Sequence, residues 1–535
     1  MRLDRVYIDG FKNLKKVSVD FDEKRLTTVM IGQNGAGKSN LVEAIVEVFR
    51  SIDLNEKKFV PSYIYEIDYR INGNYVRISN KSGKQTIETG QSKDAVKPMS
   101  RTAFSKNKSS YFPDLIFGYY SGGSRRLESL FDRHQRKYYD KIKVNDDLDE
   151  CSEALKDRRL FYCRSIHGVF ALLAFYAYPK PAIAELLKSK LGIANFDSVL
   201  TVFRKPWFDK GAKKNALTDA PGLWGAKGPA GLCGRRFRDL AFHPFALMDH
   251  PIDDYRDKSG DEPQYGAYFR DEKPLLELAS QYKDDREFFS AIETMDISDL
   301  IRDVHLWVNR TNDDSGDVSF NDLSDGERQL LMVLGLIRVS RGRNALFLLD
   351  EPDTHLNPHW QLTYLDLIRE WTEVASDETD CQIILTSHNP LTIAALEREE
   401  VRVMSQQEDG TVTAQPPYTH PRGLGFTSIL TEIFGLSSTL DPATQEQVDY
   451  RNKLAAIDER TAKQDAQLIE INDKLNRLGF LFEDREPLYS DFLKSLHEVQ
   501  YANRPQLTPD QLGSRRQAMN DLIKGLISKS DEADT

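Results

Sequence analysis

The stretch from Val29 to Val48 leaves this chain the least freedom. Val29-Met30-Ile31 is an apolar, strand-like run. Gly32-Gln33-Asn34-Gly35-Ala36-Gly37-Lys38-Ser39 follows it, and Leu41, Ala44, Ile45 and Val48 then recur at helical spacing. A strand that turns through glycines into a helix is the context in which GxxxxGKS works as a P-loop. Glycines let backbone amides curl around phosphate oxygens with no Cβ in the way. Those amides and the positive end of the helix receive the negative charge. The pattern predicts an α/β fold with a P-loop core. Gly32, Asn34, Gly35, Gly37, Lys38, Ser39 and Asn40 are its candidate nucleotide ligands. Lys38 is expected to reach the β and γ phosphates, and Ser39 to hold Mg²⁺.

Two later segments complete such a site. Ala345-Leu346-Phe347-Leu348-Leu349 is a continuous apolar run ending in Asp350-Glu351-Pro352. That pattern predicts a strand buried on both faces of a parallel sheet, with its carboxylates at the ligand-binding end. Asp350 is the candidate Mg²⁺ holder, and Glu351 the group that orients or deprotonates the attacking water. Gln382-Ile383-Ile384-Leu385-Thr386-Ser387-His388 predicts another buried strand, with His388 just past its end as a switch on the γ phosphate.

The segment Leu323-Ser324-Asp325-Gly326-Glu327-Arg328-Gln329 precedes an apolar-periodic helix. Ser324 and Glu327 have the spacing of a capping box. The segment resembles the signature motif of ABC ATPases, in the form found in SMC and RecF relatives. That resemblance implies that Ser324 and Gly326 act in trans, on the nucleotide held by a partner copy. It also implies a mixed-sheet ATPase head. Phe11-Lys12-Asn13-Leu14 is similar to the FKxL element of the same relatives, which makes Lys12 a nucleotide-ligand candidate. Asp353-Thr354-His355-Leu356-Asn357-Pro358 resembles the D-loop of OLD-like ATPases, with Asp353 where Glu is common. The glutamine expected after the strand near Leu115–Tyr120 is missing from FGYYSGGSRR, leaving Ser121 or Arg125 to take its place.

About 280 residues separate the P-loop from the signature. The reading divides the chain into residues 1–125 (first part of the head), 126–300 (a helical and loop insertion), 301–436 (second part of the head) and 437–535 (a helical extension for dimer or partner contacts). Residues 201–240 hold nine Lys or Arg against three acids, a local balance of +6 in a chain of net charge -11. Trp207, Phe208 and Trp224 are interleaved. This composition suits a nucleic-acid backbone and equally suits a solvated loop with tucked aromatics. Leu454, Ile457, Thr461, Gln464, Leu468, Ile471, Leu475 and Leu478 follow a heptad seam with a polar middle. The four cysteines form no CxxC pair, which argues against zinc or a disulfide framework. No signal sequence or membrane span is expected, and the chain reads as cytoplasmic.

Taken in order, FKN, GQNGAGKS, GYYSG, LSDGER, LFLLDEPDTHLNP and TSHNP resemble the PtuA-type ATPases of Septu and retron-associated anti-phage systems. The resemblance implies an ATP- and Mg²⁺-dependent ATPase that pairs with itself. It implies as partners a separate HNH nuclease and, in retrons, a reverse transcriptase with its RNA–DNA. The alternative is a RecF-like DNA-repair clamp. A transporter cassette fits poorly, because LSDGER lacks the glutamine of LSGGQ. No acidic set of a Toprim nuclease and no histidine cluster of an HNH site is found, so no nuclease is expected within this chain.

Overall fold

The three apolar runs that end in Lys38, Asp350 and His388 turns lie side by side in one sheet. In the computed structural model, residues 1–480 are described except 82, 157, 207–216, 250–261, 312, 340–343, 376–380, 408, 437, 456 and 458. Contacts divide the chain into two compact units, Met1–Thr439 and Leu440–Thr535.

The chain opens with an antiparallel pair, β1 (Arg2–Asp9) and β2 (Val17–Asp20), and then enters the central sheet with β3 (Thr27–Gly32). It returns to the first sheet through β4 (Ile64–Ile71), β5 (Asn74–Ser79), β6 (Thr86–Gly90) and β7 (Lys97–Pro98). Strands β8 (Leu115–Tyr120) and β9 (Leu160–Tyr162) belong to the central sheet again. A third sheet holds β10 (Ile193–Arg204), β11 (Phe245–Asp249), β12 (Glu262–Phe269), β13 (Ile301–Arg310) and β14 (Asp313–Ser319). Finally β15 (Ala345–Asp350), β16 (Cys381–Thr386), β17 (Val401–Gln406) and β18 (Val412–Gln415) complete the central sheet, in the order β18-β17-β3-β16-β15-β8-β9.

Only β18 runs antiparallel to its neighbour in that sheet. Every residue of β3, β15 and β16 is buried, as runs covered on both faces must be. Each such Leu or Ile contributes about 1.5–3 kcal/mol by leaving water. Two apolar cores flank the sheet. One contains Ile45 and Phe49 of the P-loop helix (Lys38–Leu54); the other contains Leu330 and Leu334 of the signature helix (Asp325–Val339).

The apolar run at Gly168–Tyr178 is a helix, Ile166–Ala177, buried almost all round. It packs closely on the signature helix: a Cβ on Gly335 would lie 2.3 Å from Ala171 Cβ, and one on Gly168 would lie 2.8 Å from Met332 Cγ. Strands β10 to β12 add a sheet to the helices and loops expected between 126 and 300. Ile193–Arg204 reads IANFDSVLTVFR, and much of its burial alternates with a period of two.

In the second unit the heptad seam is not one helix. Pro442–Ala455 and Ala462–Arg477 are separate helices that pack on each other. Thr461 and Gln464, the polar middle of the seam, form a capping box that starts the second. No helix among the described residues is long and apolar enough to cross a membrane.

Candidate functional site

The loop between β3 and its helix is built from positive-φ glycines: Gly32 (144°), Gly35 (83°) and Gly37 (95°). At Gly35 a Cβ would meet nothing within 4 Å, and at Gly37 it would strike Leu14 and Asn13. The turn after β1 braces this loop. Asn13 donates to the Gly35 carbonyl, and Asn40 Nδ2 donates to Asn13 Oδ1 at 2.7 Å. Lys38 lies inside the loop, with Nζ donating to the carbonyls of Gly32 (2.7 Å) and Gln33 (3.1 Å).

Register brings the carboxylates to this loop. Asp350 pairs across the sheet with Thr386 on one side and Tyr120 on the other. Ser39 Oγ donates to Asp350 Oδ1 at 2.8 Å, and Thr386 Oγ1 donates to the same oxygen at 2.6 Å. Burial pushes the Asp350 carboxyl up, against the pull of Thr386, Ser39 and Arg126. Ser39 and Asp350 supply the hard oxygens that Mg²⁺ takes, and the glycine loop beside them leaves room for phosphates. The residues present therefore fit Mg-ATP.

Glu351 follows at φ 55°, a left-handed conformation rare for a side chain of its size. Its amide donates to Thr386 Oγ1 at 3.0 Å. Its Oε1 lies 2.9 Å from His388 Nε2, while His388 Nδ1 is 3.3 Å from Lys38 Nζ. Burial, and then the Lys38 ammonium, hold the His388 imidazole below its ordinary value. Asp353 is buried and accepts from Ser387 Oγ and Thr392 Oγ1, tying the D-loop to the switch loop.

The residue that reaches Asp350 from the GYYSGGSRR segment is Arg126. Its Nη2 donates to Asp350 Oδ2 at 2.6 Å, and its guanidinium lies 4.4 Å over the Tyr120 ring. Arg125 instead pairs with Glu128 (2.9 Å) and Asp132 (3.1 Å), and Ser121 Oγ meets Thr354 Oγ1 at 3.3 Å. Arginine at one of two adjacent positions was the available signal; which one faces inward depends on the turn.

Lys12 pairs with Glu43 on the P-loop helix. Ser324 caps the signature helix, with its Oγ donating to Glu327 Oε2 at 2.9 Å and the Glu327 backbone amide donating back to Ser324 Oγ at 3.3 Å. Gly326 sits where a Cβ would be 2.9 Å from the His355 carbonyl. Ser324 itself is exposed. In the basic stretch, Arg204 pairs with Asp299, Arg235 with Asp146 (2.9 Å) and Arg238 with Asp239 (2.6 Å). Trp224 packs against the core. Trp207, Phe208, Lys210, Lys213 and Lys214 lie outside the described residues.

Burial holds the Lys38 ammonium down to about 8, although Glu351 and Asp350 pull the other way. A lysine must be charged to hold phosphate, so above this value binding has to include proton uptake. Affinity for a fluorescent ATP analogue is therefore expected to weaken by up to about tenfold per pH unit above pH 8. A flat profile through pH 10 would show that Lys38 keeps its proton throughout.

Two family models match parts of the chain: "AAA ATPase domain" over residues 1–157 and "AAA domain, putative AbiEii toxin, Type IV TA system" over residues 236–394. The Septu protein PtuA of Bacillus mycoides (strain KBAB4) is 26% identical over 164 residues, 29% of this chain and 22% of that protein. The Septu protein PtuA of Bacillus thuringiensis is 29% identical over 150 residues, 25% of this chain and 36% of that protein. The matched stretches thus span well under half the length of either relative. The SMC head domain from Thermotoga maritima aligns at TM-score 0.32 and 14% identity, covering 78% of this chain and 100% of that one.

Proposed function

We propose that this chain is an ABC/SMC-type P-loop ATPase and the ATP-hydrolysing regulatory subunit of an anti-phage defence complex, a reading supported by two partial AAA family matches and a partial likeness to PtuA. The contact between Ser39 Oγ and Asp350 Oδ1, 2.8 Å across 311 residues of sequence, carries the reading, because it joins the two halves of a nucleotide site. Ser39 and Asp350 would hold Mg²⁺, which would offset phosphate charge. Lys38 holds the phosphates. Glu351 orients the attacking water and takes its proton, and His388 steadies the Glu351 carboxylate.

Two copies pair head to tail, each presenting the exposed Ser324 and the buried Gly326 to the γ phosphate on the partner's Lys38. Closure then depends on ATP, and hydrolysis releases it. The paired ATPase works in the cytoplasm and restrains a separate HNH nuclease. Where a reverse transcriptase accompanies it, the RNA–DNA product is a further partner. In the 201–240 stretch Arg204, Arg235 and Arg238 are in ion pairs and Arg236 stacks over the Tyr282 ring at 4.8 Å.

Mixing inactive variants tests the pairing. Lys38→Ala and Ser324→Arg chains are each expected to be inactive alone. Random pairing makes half the dimers mixed, each with one complete site, so the mixture should regain roughly a quarter of the wild-type ATPase rate. No recovery would rule out composite sites. Co-purification from the native operon tests the partner. A stable complex with an HNH protein supports the reading, and a lone dimer stimulated by gapped DNA replaces it with a repair clamp.

A further inference from the structure

A basic cavity lies at the opposite end of the P-loop helix from Lys38. Asp53, on its wall, is in the last turn of that helix, about 22 Å along the axis from Lys38. The cavity measures about 500 Å³, within the range of small-ligand sites. Six cations line it: Lys106, Lys108, Lys137, Lys141, Arg158 and Arg159. Asp53 is the one carboxylate on the wall. Both its oxygens are taken, Oδ1 by Lys108 Nζ at 2.8 Å and Oδ2 by His134 Nε2 at 2.8 Å.

The cations are placed by different elements. Lys106 ends the short helix Arg101–Lys106, and Lys137 and Lys141 stand one turn apart on Asp132–Lys141. These three are exposed at the rim. Arg158 and Arg159 lead into β9 from behind. Arg158 is paired with Glu293 and packed over the Phe161 ring at 4.5 Å, which fixes its guanidinium in place. Arg159 Nη1 donates to the Pro113 carbonyl at 3.4 Å. Ser109 and Tyr138 add hydroxyls to the lining.

We infer that this cavity binds a ligand carrying two or more phosphates, either a free polyphosphate such as a nucleotide or the phosphodiester backbone of a nucleic-acid strand. Lys108, Lys137 and Arg158 face Asp53, Glu56 and Glu293, and the six cations still leave a net positive charge around a nucleotide-sized space, more than a ligand with one carboxylate needs. Arginine forks set among lysines match phosphate oxygens. In a chain of net charge -11 the cavity also concentrates an attractive field for anions. The inference does not rest on the proposed function, because no residue of the cavity belongs to the ATP site.

The test uses the full chain at low salt and fluorescence anisotropy with a short, 3′-labelled single-stranded DNA carrying a 5′-phosphate. Inorganic tripolyphosphate serves as competitor. The Lys106→Glu/Lys137→Glu variant should bind at least about tenfold more weakly than wild type, with unchanged affinity for an ATP analogue at the P-loop. Lys141→Glu, an exposed change on the same rim, serves as an independent variant. Displacement of the DNA by tripolyphosphate identifies the ligand as a free polyphosphate. Binding of the DNA that resists tripolyphosphate identifies a backbone. Failure of wild type to bind either probe, or equal DNA binding by wild type and both variants, overturns the inference.

Discussion

Glu351→Gln is expected to keep ATP binding and to lower steady-state hydrolysis by at least about 100-fold, the size of effect that removal of a general base produces. The substitution preserves shape and removes the proton acceptor. The backbone there is already fixed: φ is 55°, and the amide is held by Thr386 Oγ1 at 3.0 Å. A glutamine can keep that turn and still meet His388. The loss should therefore fall on turnover, with binding and fold unchanged. In ATP the variant should also accumulate as a dimer on size-exclusion chromatography. Turnover equal to wild type would remove Glu351 from the mechanism.

Gly32→Ala should be the most destabilising single-methyl change in the P-loop. Gly32 pairs with Met404 where β3 lies beside β17, and a Cβ there would sit 2.1 Å from the Met404 carbonyl oxygen. That atom is backbone in the sheet, so it cannot rotate away. Overpacking of this kind costs about 1–3 kcal/mol, and the backbone conformation at φ 144° adds about 1–3 kcal/mol for any side chain. Gly35→Ala is the matched control: its φ is also positive, but a Cβ meets nothing within 4 Å. Urea unfolding followed by circular dichroism should place Gly32→Ala well below Gly35→Ala. Equal midpoints would mean that β17 yields to the extra methyl.

The nucleotide motifs were legible because each combines a strand buried on both faces with a tight turn, and such strands have few ways to pack. Their shared end then follows from parallel register, as Asp350 opposite Thr386 illustrates. Arg126 was not legible. The GYYSGGSRR segment has no period to orient its side chains, and the contact with Asp350 spans 224 residues. The C-terminal seam misled for a different reason. Thr461 and Gln464 fit heptad positions by spacing, yet Thr-x-x-Gln is also a helix start, and the local hydrogen bonds prevailed. The sheet strand Ile193–Arg204 was passed over because it runs on from a helix, Pro181–Leu191, that ends at Gly192.

The contact at Gly335 has a mechanical meaning. With Ala171 pressed against a residue that has no side chain, and Gly168 receiving Met332 and Phe320 in the same way, the two helices interlock like meshed teeth. Neither can slide along the other without backbone meeting a methyl group. A displacement of Asp325–Val339 is therefore expected to take Ile166–Ala177 with it, with little slack between them.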